Sequence, residues 1–403
     1  MNSNHLTKAA NQSCLKVIEA IRAKREVSRR AIATETGLST PSITRLVNEL
    51  MDAKVLSVHE STTVDGAGPG RPASVVKLNP SYCCAIGVDV GEHVIQAALG
   101  DMSGKIQLTS RMPTDADKDS DATFLNLING IKDILELYKS GIDGPAPPLR
   151  AITVGVPGTV DPVTSLVVNA PKIKGWVDFD LKGRIAEEIP DVEIRIVNDI
   201  NAAAIGESAH GVAMGFNNFV FASVRRGIGA GIFIDGQLYN GSSGFAGEMG
   251  KMVFDTEFDF SASEGNGHLE TICGEDPLME RAAARGVTMV TTDSARPRLR
   301  SLAAAAANGD AEAMNILKTF LKNYGLAIAN VASLLDPSIV VVGGDIEPVM
   351  DMAIEQLTET VTQLIPLPPK IVGSSLGDRA VLLGTLYQAH RDACDTMLIH
   401  AVV

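Results

Sequence analysis

Residues 261–270, SASEGNGHLE, combine one histidine, two carboxylates and two glycines in a single polar run without cysteine. Three chemistries fit this run: a metal loop that uses His268 and a carboxylate, a glycine loop that binds phosphate, or an ordinary surface connection. Composition alone favours the third, because Ser, Gly and Asn are the residues from which loops are generally made. The rest of the sequence is needed to choose between these three alternatives.

A second group of candidate residues lies in the segment 40–52, which predicts an amphipathic helix with Thr40 at its N-cap and Pro41 in its first turn. Apolar residues recur at helical spacing on one face, namely Ile43, Leu46, Val47 and Leu50. The outward residues near the helix start are Ser42, Thr44, Arg45 and Asn48. Short donors and an arginine in this position are typical of a DNA-recognition helix.

The neighbouring segments complete a winged helix-turn-helix. Helical periodicity begins at Gln12, and SRRAIATETG predicts a second helix that ends at Gly37. After the third helix, the runs VLSVHE and ASVVKLN predict a hairpin whose tip contains Arg71 and Pro72. A Gly-Arg-Pro segment by itself is explained by a surface turn. At the tip of a wing, however, it is typical of an arginine that enters a narrow minor groove.

Charge divides the chain in the same place. Residues 1–80, called the head below, carry 11 basic and 7 acidic residues, a balance of +4. The remaining 323 residues carry 24 basic and 41 acidic residues, a balance of -17. A basic head on an acidic body fits a protein in which only the head meets phosphates.

Composition bounds the class of protein. A chain of 403 residues with 45% hydrophobic residues is expected to form two or three globular domains. No apolar run approaches the roughly 20 residues that span a bilayer, and the N-terminus lacks the apolar core of a signal peptide, so we expect a cytoplasmic protein without membrane partners. The five cysteines are scattered and lack CxxC spacing, which predicts reduced thiols.

From Ala85 onward the pattern predicts an α/β fold with an internal duplication. AIGVDVGEHVIQAALGDMSGKI and FVFASVRRGIGAGIFIDGQLY both read as strand, glycine turn, strand, Asp/Gly turn and strand. We expect two similar lobes with a cleft between them, and glycine turns through which backbone amides can approach a phosphate. Each motif alone is weak, since hairpins use glycine in any case.

Five further segments make the pattern specific: ITVGVPGTVDP, IVNDINAAAIGE, GFAGEMGKM, HLETICG and LLDPSIVVVGGDI. Together with the winged head, from Asn11 to about Leu386, they resemble the ROK family of repressors, open reading frames and sugar kinases, in its repressor branch. The resemblance implies a two-lobed actin-like ATPase fold of the sugar-kinase type. It places the DNA-binding domain at 1–80, lobe 1 at 81–197 and 387–403, and lobe 2, with dimerisation, at 198–386.

The resemblance also bears on which of the three chemistries residues 261–270 have. Active members carry G-E-x-G-H followed by C-x-C-G-x-x-G-C-L-E, whose histidine and three cysteines hold a structural zinc. The four corresponding positions here are Lys251, Ser261, Ser263 and His268. A protonated lysine and two serine hydroxyls are poor zinc ligands, so we expect no metal. Glu248 and Glu270 remain, and in relatives these glutamates bind sugar hydroxyls.

The kinase motifs are altered where they would meet ATP. The family's D-x-G-G-T-K is Asp89–Val94 here, with Glu92 in the phosphate turn, and its T-G-x-G is Arg226–Gly229. Asp199 matches the catalytic base, although a carboxylate at this position also serves to cap the helix NAAAIGE. With both phosphate turns changed, we expect binding without phosphoryl transfer, and hence neither a catalytic residue nor a cofactor.

The sequence therefore predicts a transcriptional regulator, and specifically a repressor, that binds operator DNA as a homodimer or homotetramer and senses a carbohydrate. The residues predicted to bind this effector are Asn198, Asp199, Glu248, Lys251 and Glu270. One alternative is an ATP-dependent sugar kinase with an appended DNA-binding domain, and another is a head that binds protein. Lys251, Lys172 and Arg226 point to an anionic ligand, or are ordinary surface charges.

Overall fold

The computed structural model describes residues 2–61, 73–225, 227–259, 261, 267–289 and 299–401. Contacts divide the chain into two compact units. Unit 1 comprises residues 1–156, 165–196 and 385–403, and unit 2 comprises residues 157–164 and 197–384. The head falls within unit 1, together with most of the predicted lobe 1. The predicted domain boundaries at residues 80, 197 and 386 remain predictions.

The head contains the three expected helices: α1 (Asn2–Lys24), α2 (Arg29–Thr36) and α3 (Thr40–Asp52). Helix α2 ends at Gly37, whose φ of 68° lies in the left-handed region that favours glycine. The N-cap predicted for α3 was wrong by one residue. Ser39 is extended, and its Oγ accepts a hydrogen bond from Ser42 N at 3.3 Å, so Thr40 is already helical.

The wing hairpin belongs to a small three-stranded sheet. Strands β1 (Val27–Ser28), β2 (Leu56–Ser61) and β3 (Ala73–Leu78) form an antiparallel sheet in the order β1-β3-β2. The hairpin predicted from the two strand-like runs is confirmed. Strand β1 was not predicted, because two residues are too few to show a period. The wing tip, with Arg71 and Pro72, lies outside the described residues.

A five-stranded sheet forms the centre of the rest of unit 1, with strand order β11-β7-β4-β5-β6. Strands β4, β5 and β6 form an antiparallel meander, and β7 lies parallel to β4. The elements along this part of the chain are β4 (Cys84–Val90), β5 (Val94–Asp101), β6 (Ile106–Pro113), α4 (Ser120–Ser140), β7 (Leu149–Val156), β8 (Thr159–Val160), β9 (Val167–Asn169), β10 (Val177–Phe179), α5 (Leu181–Glu188) and β11 (Glu193–Asn198).

Unit 2 repeats this topology. Its elements are α6 (Asp199–His210), β12 (Phe219–Val224), β13 (Ile228–Ile234), β14 (Gln237–Leu238), α7 (His268–Cys273), α8 (Glu275–Ala284), α9 (Leu299–Ala307), α10 (Ala311–Leu335), β15 (Ile339–Gly344), α11 (Met350–Leu364), β16 (Lys370–Gly373) and α12 (Ala380–Ala401), which continues into unit 1. The strand order β14-β13-β12-β15-β16 again joins an antiparallel meander to parallel strands. The predicted duplication and α/β class are confirmed.

The head shares a hydrophobic core with the rest of unit 1. Val17, Ile18 and Ile21 of α1 are fully buried in a cluster that also contains Met102 and Ala389. Full burial of an aliphatic side chain of this size contributes about 1.5–3 kcal/mol relative to exposure. Helix α1 is therefore anchored by packing as well as by the chain connection near residue 80.

Polar contacts tie α1 to α12 across this core. Glu19 Oε1 accepts a hydrogen bond from Tyr387 Oη at 3.1 Å and lies 3.2 Å from Arg391 Nε. Arg22 Nη2 donates to the carbonyl oxygen of Met102 at 3.4 Å. Burial and the nearby Arg22 lower the pKa of His390 to about 3, so this imidazole is neutral at neutral pH. The contacts join the first helix of the head to the last helix of the chain.

Helices α6 and α12 meet through small residues inside unit 2. A side chain at Gly384 would collide with the carbonyl oxygen of Ala202, and one at Gly206 with that of Ala380. The alanine-rich face of α6 thereby lets the first turn of α12 approach its backbone. This contact fixes the start of α12 beside Gly206 and places Gly384 beside Ala202 in the first half of α6.

Two expectations from composition concern the cysteines and the membrane. All five cysteines are free and buried, as predicted for reduced thiols. Burial raises the pKa of the Cys14 and Cys83 thiols to about 12, which keeps them protonated and unreactive. Within the described part of the chain, no helix is long and apolar enough to cross a bilayer.

Candidate functional site

Asp199 is placed by the cap of helix α6. The cap is Asn198, whose Oδ1 accepts hydrogen bonds from Ile200 N at 2.9 Å and Asn201 N at 3.0 Å. Its Nδ2 donates to the carbonyl oxygen of Gly158 at 3.0 Å. Asp199 is the first helical residue, where the helix dipole favours a negative charge, and its Oδ1 also accepts from Ile200 N at 2.9 Å. Asn198 thus holds the turn that presents Asp199.

Glu248 lies on a turn that is tied to strand β13. Gly247, immediately before it, has a φ of 89°, and its carbonyl oxygen accepts a hydrogen bond from Ala230 N at 2.7 Å. A side chain at Gly247 would collide with the carbonyl oxygen of Ala230. Only glycine therefore allows the backbone before Glu248 to approach the strand this closely.

Lys251 and Glu270 form an ion pair next to this turn. Lys251 Nζ lies 3.4 Å from Glu270 Oε2, and both side chains are partly exposed, at 36% and 27%. Glu270 lies in the first turn of α7, whose N-terminal end favours its charge. Lys251 thus engages one of the two carboxylate oxygens of Glu270.

These residues, which come from separate motifs, meet around the first residues of β13. A methyl group at Gly229 would lie 2.5 Å from Ile200 Cδ1, next to Asp199, and 3.6 Å from the carbonyl oxygen of Gly247. A methyl group at Gly227 would lie 3.8 Å from Glu270 Oε1. The structure thus places the chain segments that carry Asp199, Glu248 and Glu270 around the start of β13, within unit 2.

Three of the four positions that the resemblance aligns with zinc ligands are described, and each has another partner, as Lys251 does in Glu270. His268 Nδ1 accepts a hydrogen bond from Phe254 N at 3.2 Å, and the imidazole ring lies 5.2 Å from the ring of Phe258. Ser261 donates from N and Oγ to Asp259 Oδ1, at 2.9 and 2.6 Å. Ser263 lies outside the described residues, and the described ranges hold no group of three or more His, Cys, Asp or Glu residues arranged for a metal. The residues present do not fit the family's zinc.

Purified protein is expected to contain no stoichiometric zinc, and chelators are expected to leave its melting temperature unchanged. A structural zinc contributes folding free energy, so its removal would lower the melting temperature. Elemental analysis and thermal melting with and without chelator measure both quantities. One zinc per chain, or a lower melting temperature with chelator, would overturn this interpretation of Lys251 and His268.

Asp199 also lines a pocket at the carboxyl ends of β12 and β15. Its lining residues are Asp199, Ile200, Ala203, Phe221, Ser223, Arg225, Gly344, Ser374, Gly377, Ala380 and Val381. Arg225 lies 3.7 Å from Asp378, which also pairs with Arg300 at 3.1 Å. Charged side chains therefore tie together the elements around this pocket.

The sequence missed this ion-pair group. From the sequence we expected the guanidinium of Arg226 near the second phosphate turn, and Arg226 lies outside the described residues. In the structure the neighbouring Arg225 lines the pocket. The altered turn was the available signal for an arginine here. Asp378 and Ser374 gave no signal, because isolated polar residues in a loop match no motif.

The outward face of α3 is as predicted. Thr44, Arg45 and Asn48 are exposed and Ser42 is half-buried, while the predicted apolar stripe is buried. Arg45 Nη1 lies 2.9 Å from Glu49 Oε1, one turn further along the helix. Asn48 Oδ1 accepts a hydrogen bond from Arg29 Nη2 at 3.1 Å. Arg45 and Asn48 thus have partners on the head itself.

The described elements define a winged helix-turn-helix followed by a duplicated α/β fold of the sugar-kinase, actin-like type. Residues 85–392 match the model of the ROK family, and the chain belongs to that family. The xylose repressor of Bacillus spizizenii is 28% identical and covers 94% of both chains. A glucokinase of Halalkalibacterium halodurans is 30% identical over 68% of this chain and 84% of its own length.

A solved structure matches the whole fold. The crystal structure of a ROK family transcriptional regulator, described as a homologue of the E. coli MLC protein, has a TM-score of 0.79 and 24% identity. The match covers 97% of this chain and 99% of that one. The head and the α/β units therefore belong to one known architecture.

Proposed function

We propose that this chain is a DNA-binding transcriptional regulator, acting as a repressor, that senses a carbohydrate. One observation carries the proposal. The same chain has an exposed helix α3 and a group of three acidic residues, Asp199, Glu248 and Glu270, near the start of β13. The similarity to a xylose repressor extends over 94% of the chain, so it includes most of the head as well as the site. The glucokinase match is shorter, at 68% of the chain.

The chemistry of the site fits a polyhydroxylated ligand. Asp199, Glu248 and Glu270 offer carboxylate oxygens, each of which accepts hydrogen bonds from hydroxyl groups. Hydrogen bonds to a charged partner contribute roughly 1.5–3 kcal/mol each, so three carboxylates are enough to select a sugar. Lys251 Nζ lies 3.4 Å from Glu270 Oε2 and offsets one of these charges. D-xylose is the first candidate effector, and glucose and N-acetylglucosamine follow.

Absence of phosphoryl transfer is part of the proposal. Transfer requires groups that stabilise charge on the phosphates, and here Glu92 stands in the first phosphate turn. At the second turn Arg225 pairs with Asp378 beside the pocket. Asp199 is retained because it accepts a hydrogen bond from a sugar hydroxyl. The alternative, an ATP-dependent sugar kinase with a DNA-binding head, is favoured by the retained Asp199 and the glucokinase match.

Helix α12 provides the route from the effector site to the head. Ala380 and Val381, in its first turn, line the pocket that Asp199 also lines. Tyr387 and Arg391, further along the same helix, contact Glu19 of α1. A sugar that shifts the start of α6 is therefore expected to shift α12 as well, because the backbones of the two helices are in close contact. A shift of α12 in turn changes its contacts with Glu19 in the first helix of the head.

Glu19→Ala is expected to uncouple the head from the sugar. Allosteric couplings change affinity by about 5–150-fold, and this factor should fall toward one in the variant. The affinity of the DNA-free protein for sugar should stay at the wild-type value, because the contacts of Glu19 are to Tyr387 and Arg391 of α12 and not to the predicted effector residues. Calorimetry measures sugar affinity, and fluorescence anisotropy measures operator affinity with and without sugar.

Glu26→Ala, at an exposed position beyond α1, is the matched control. A wild-type coupling factor in Glu19→Ala would exclude this route.

Two assays test the function. The full-length protein is used to select duplexes from a random DNA pool, and ADP release is measured across a panel of pentoses, hexoses and amino sugars. We expect an enriched palindromic motif and no sugar-dependent ADP release. Sugar-dependent ADP release without an enriched motif would establish the kinase alternative instead.

A further inference from the structure

Arg29, the first residue of α2, is held against the recognition helix. Its Nη2 donates to Asn48 Oδ1 at 3.1 Å and lies 3.7 Å from Met51 Sδ. Its Nε is buried and has no hydrogen-bond partner in the described part of the chain. The Nε end of the guanidinium is therefore buried beside α3, while Nη2 makes an exposed hydrogen bond to Asn48.

This contact fixes which end of the Asn48 amide faces outward. An amide side chain carries an oxygen that accepts and an NH₂ group that donates, whereas a guanidinium only donates. Arg29 can therefore pair with the oxygen but not with the NH₂ group. Asn48 is exposed on α3, so its Nδ2 is the end that is directed away from Arg29 and toward a bound DNA.

The orientation has a consequence for base recognition. In the major groove adenine presents an acceptor and a donor, so an amide that pairs with it in the usual way uses both its oxygen and its nitrogen. Guanine presents two neighbouring acceptors, N7 and O6. An amide whose oxygen is engaged by a guanidinium offers two N–H donors, and these match guanine.

We propose that Arg29 is a positioning residue that directs the base preference of Asn48 toward guanine. The inference rests on the proposed function, because it requires that α3 reads DNA. It goes beyond that function by assigning a specificity-determining pair, one residue of which is not on the recognition helix. Arg29 acts through Asn48 and need not touch a base.

The experiment compares base preferences of the full-length protein and its variants. The wild type first selects a motif from a random duplex pool. Affinities of wild type, Asn48→Ala, Arg29→Met, Arg29→Lys and Arg30→Met are then measured on every single-base-pair variant of that motif. Arg30, exposed on the same helix turn, controls for loss of one positive charge.

We expect Asn48→Ala to lose the preference for guanine at one position of each half-site. Arg29→Met should change preference at the same position, from guanine toward adenine, by about tenfold, since it frees the amide oxygen. Arg29→Lys should keep the guanine preference, because an ammonium also donates to that oxygen. Arg30→Met should lower the affinity for all duplexes alike.

Two results would overturn the inference: a wild-type preference at this position in Arg29→Met, or a wild-type profile in Asn48→Ala. If Arg29→Met does not fold, as judged by its melting curve, Asn48→Asp serves instead. It retains a partner for Arg29 but has no outward donor, so a kept guanine preference in this variant would also exclude the proposal. If the wild type selects no motif, the proposed function itself fails.

Discussion

Asp199→Asn and Glu248→Gln are each expected to abolish the change in operator affinity that sugar produces, while sugar-free operator affinity stays at the wild-type value. Each variant replaces a carboxylate by an amide of nearly the same shape, so packing is kept. What changes is the charge and one acceptor oxygen. Loss of a charge-assisted hydrogen bond costs roughly 1.5–3 kcal/mol, or about 10- to 150-fold in sugar affinity. Calorimetry measures that affinity directly.

The matched control is Glu280→Gln, on the exposed face of α8 in the same unit. It removes one carboxylate from unit 2 but lies on a different element from the site residues, and should behave as wild type. Wild-type sugar affinity in both Asp199→Asn and Glu248→Gln would place the ligand elsewhere. Neither variant should alter ATP turnover, because no turnover is expected in the wild type.

Arg45→Ala and Arg71→Ala are expected to weaken operator binding. Arg45 occupies the outward face of α3, and its loss should cost about 1–3 kcal/mol and blur sequence preference if it reads a base. Arg71→Ala should weaken binding through the minor groove, as predicted from the sequence of the wing. Fluorescence anisotropy on the selected duplex and on single-base variants measures both effects.

The ion pair of Arg45 with Glu49 does not oppose this role. The two side chains are 62% and 55% exposed, and pairs this exposed contribute little to stability. Arg45 can therefore leave Glu49 when DNA is present. Lys16→Ala, at an exposed position of α1, controls for the loss of one positive charge from the head. If both arginine variants bind the operator like the wild type, the assignment of helix and wing is wrong.

The helices of the head could be predicted from the sequence because their signals are local. The stripe of α3 and the glycine after α2 each follow from spacing and backbone conformation alone. The N-cap was misplaced because Ser39 and Thr40 are both good caps, and only the backbone shows which of them is extended. The short strand β1 depends on pairing with β3, which is more than forty residues away in the chain.

The site was predictable only in part. Asp199, Glu248 and Glu270 stand in recognisable motifs, so the resemblance pointed to them, and the structure places the segments that carry them around the start of β13. The structural role of Asn198 as the helix cap appears only when its hydrogen bonds are known. The pairing of Arg225 with Asp378, and of Glu19 with α12, joins residues more than 150 positions apart, and no pattern along the chain reports such contacts.

We propose that a sugar bound by Asp199, Glu248 and Glu270 controls DNA binding by the head. The most direct test is the dissociation constant of the full-length wild type for its selected operator, measured with and without each sugar of the panel. We predict that one sugar, with D-xylose tried first, changes this constant by about 5–150-fold. An operator affinity that stays the same with every sugar at saturating concentration would contradict the account.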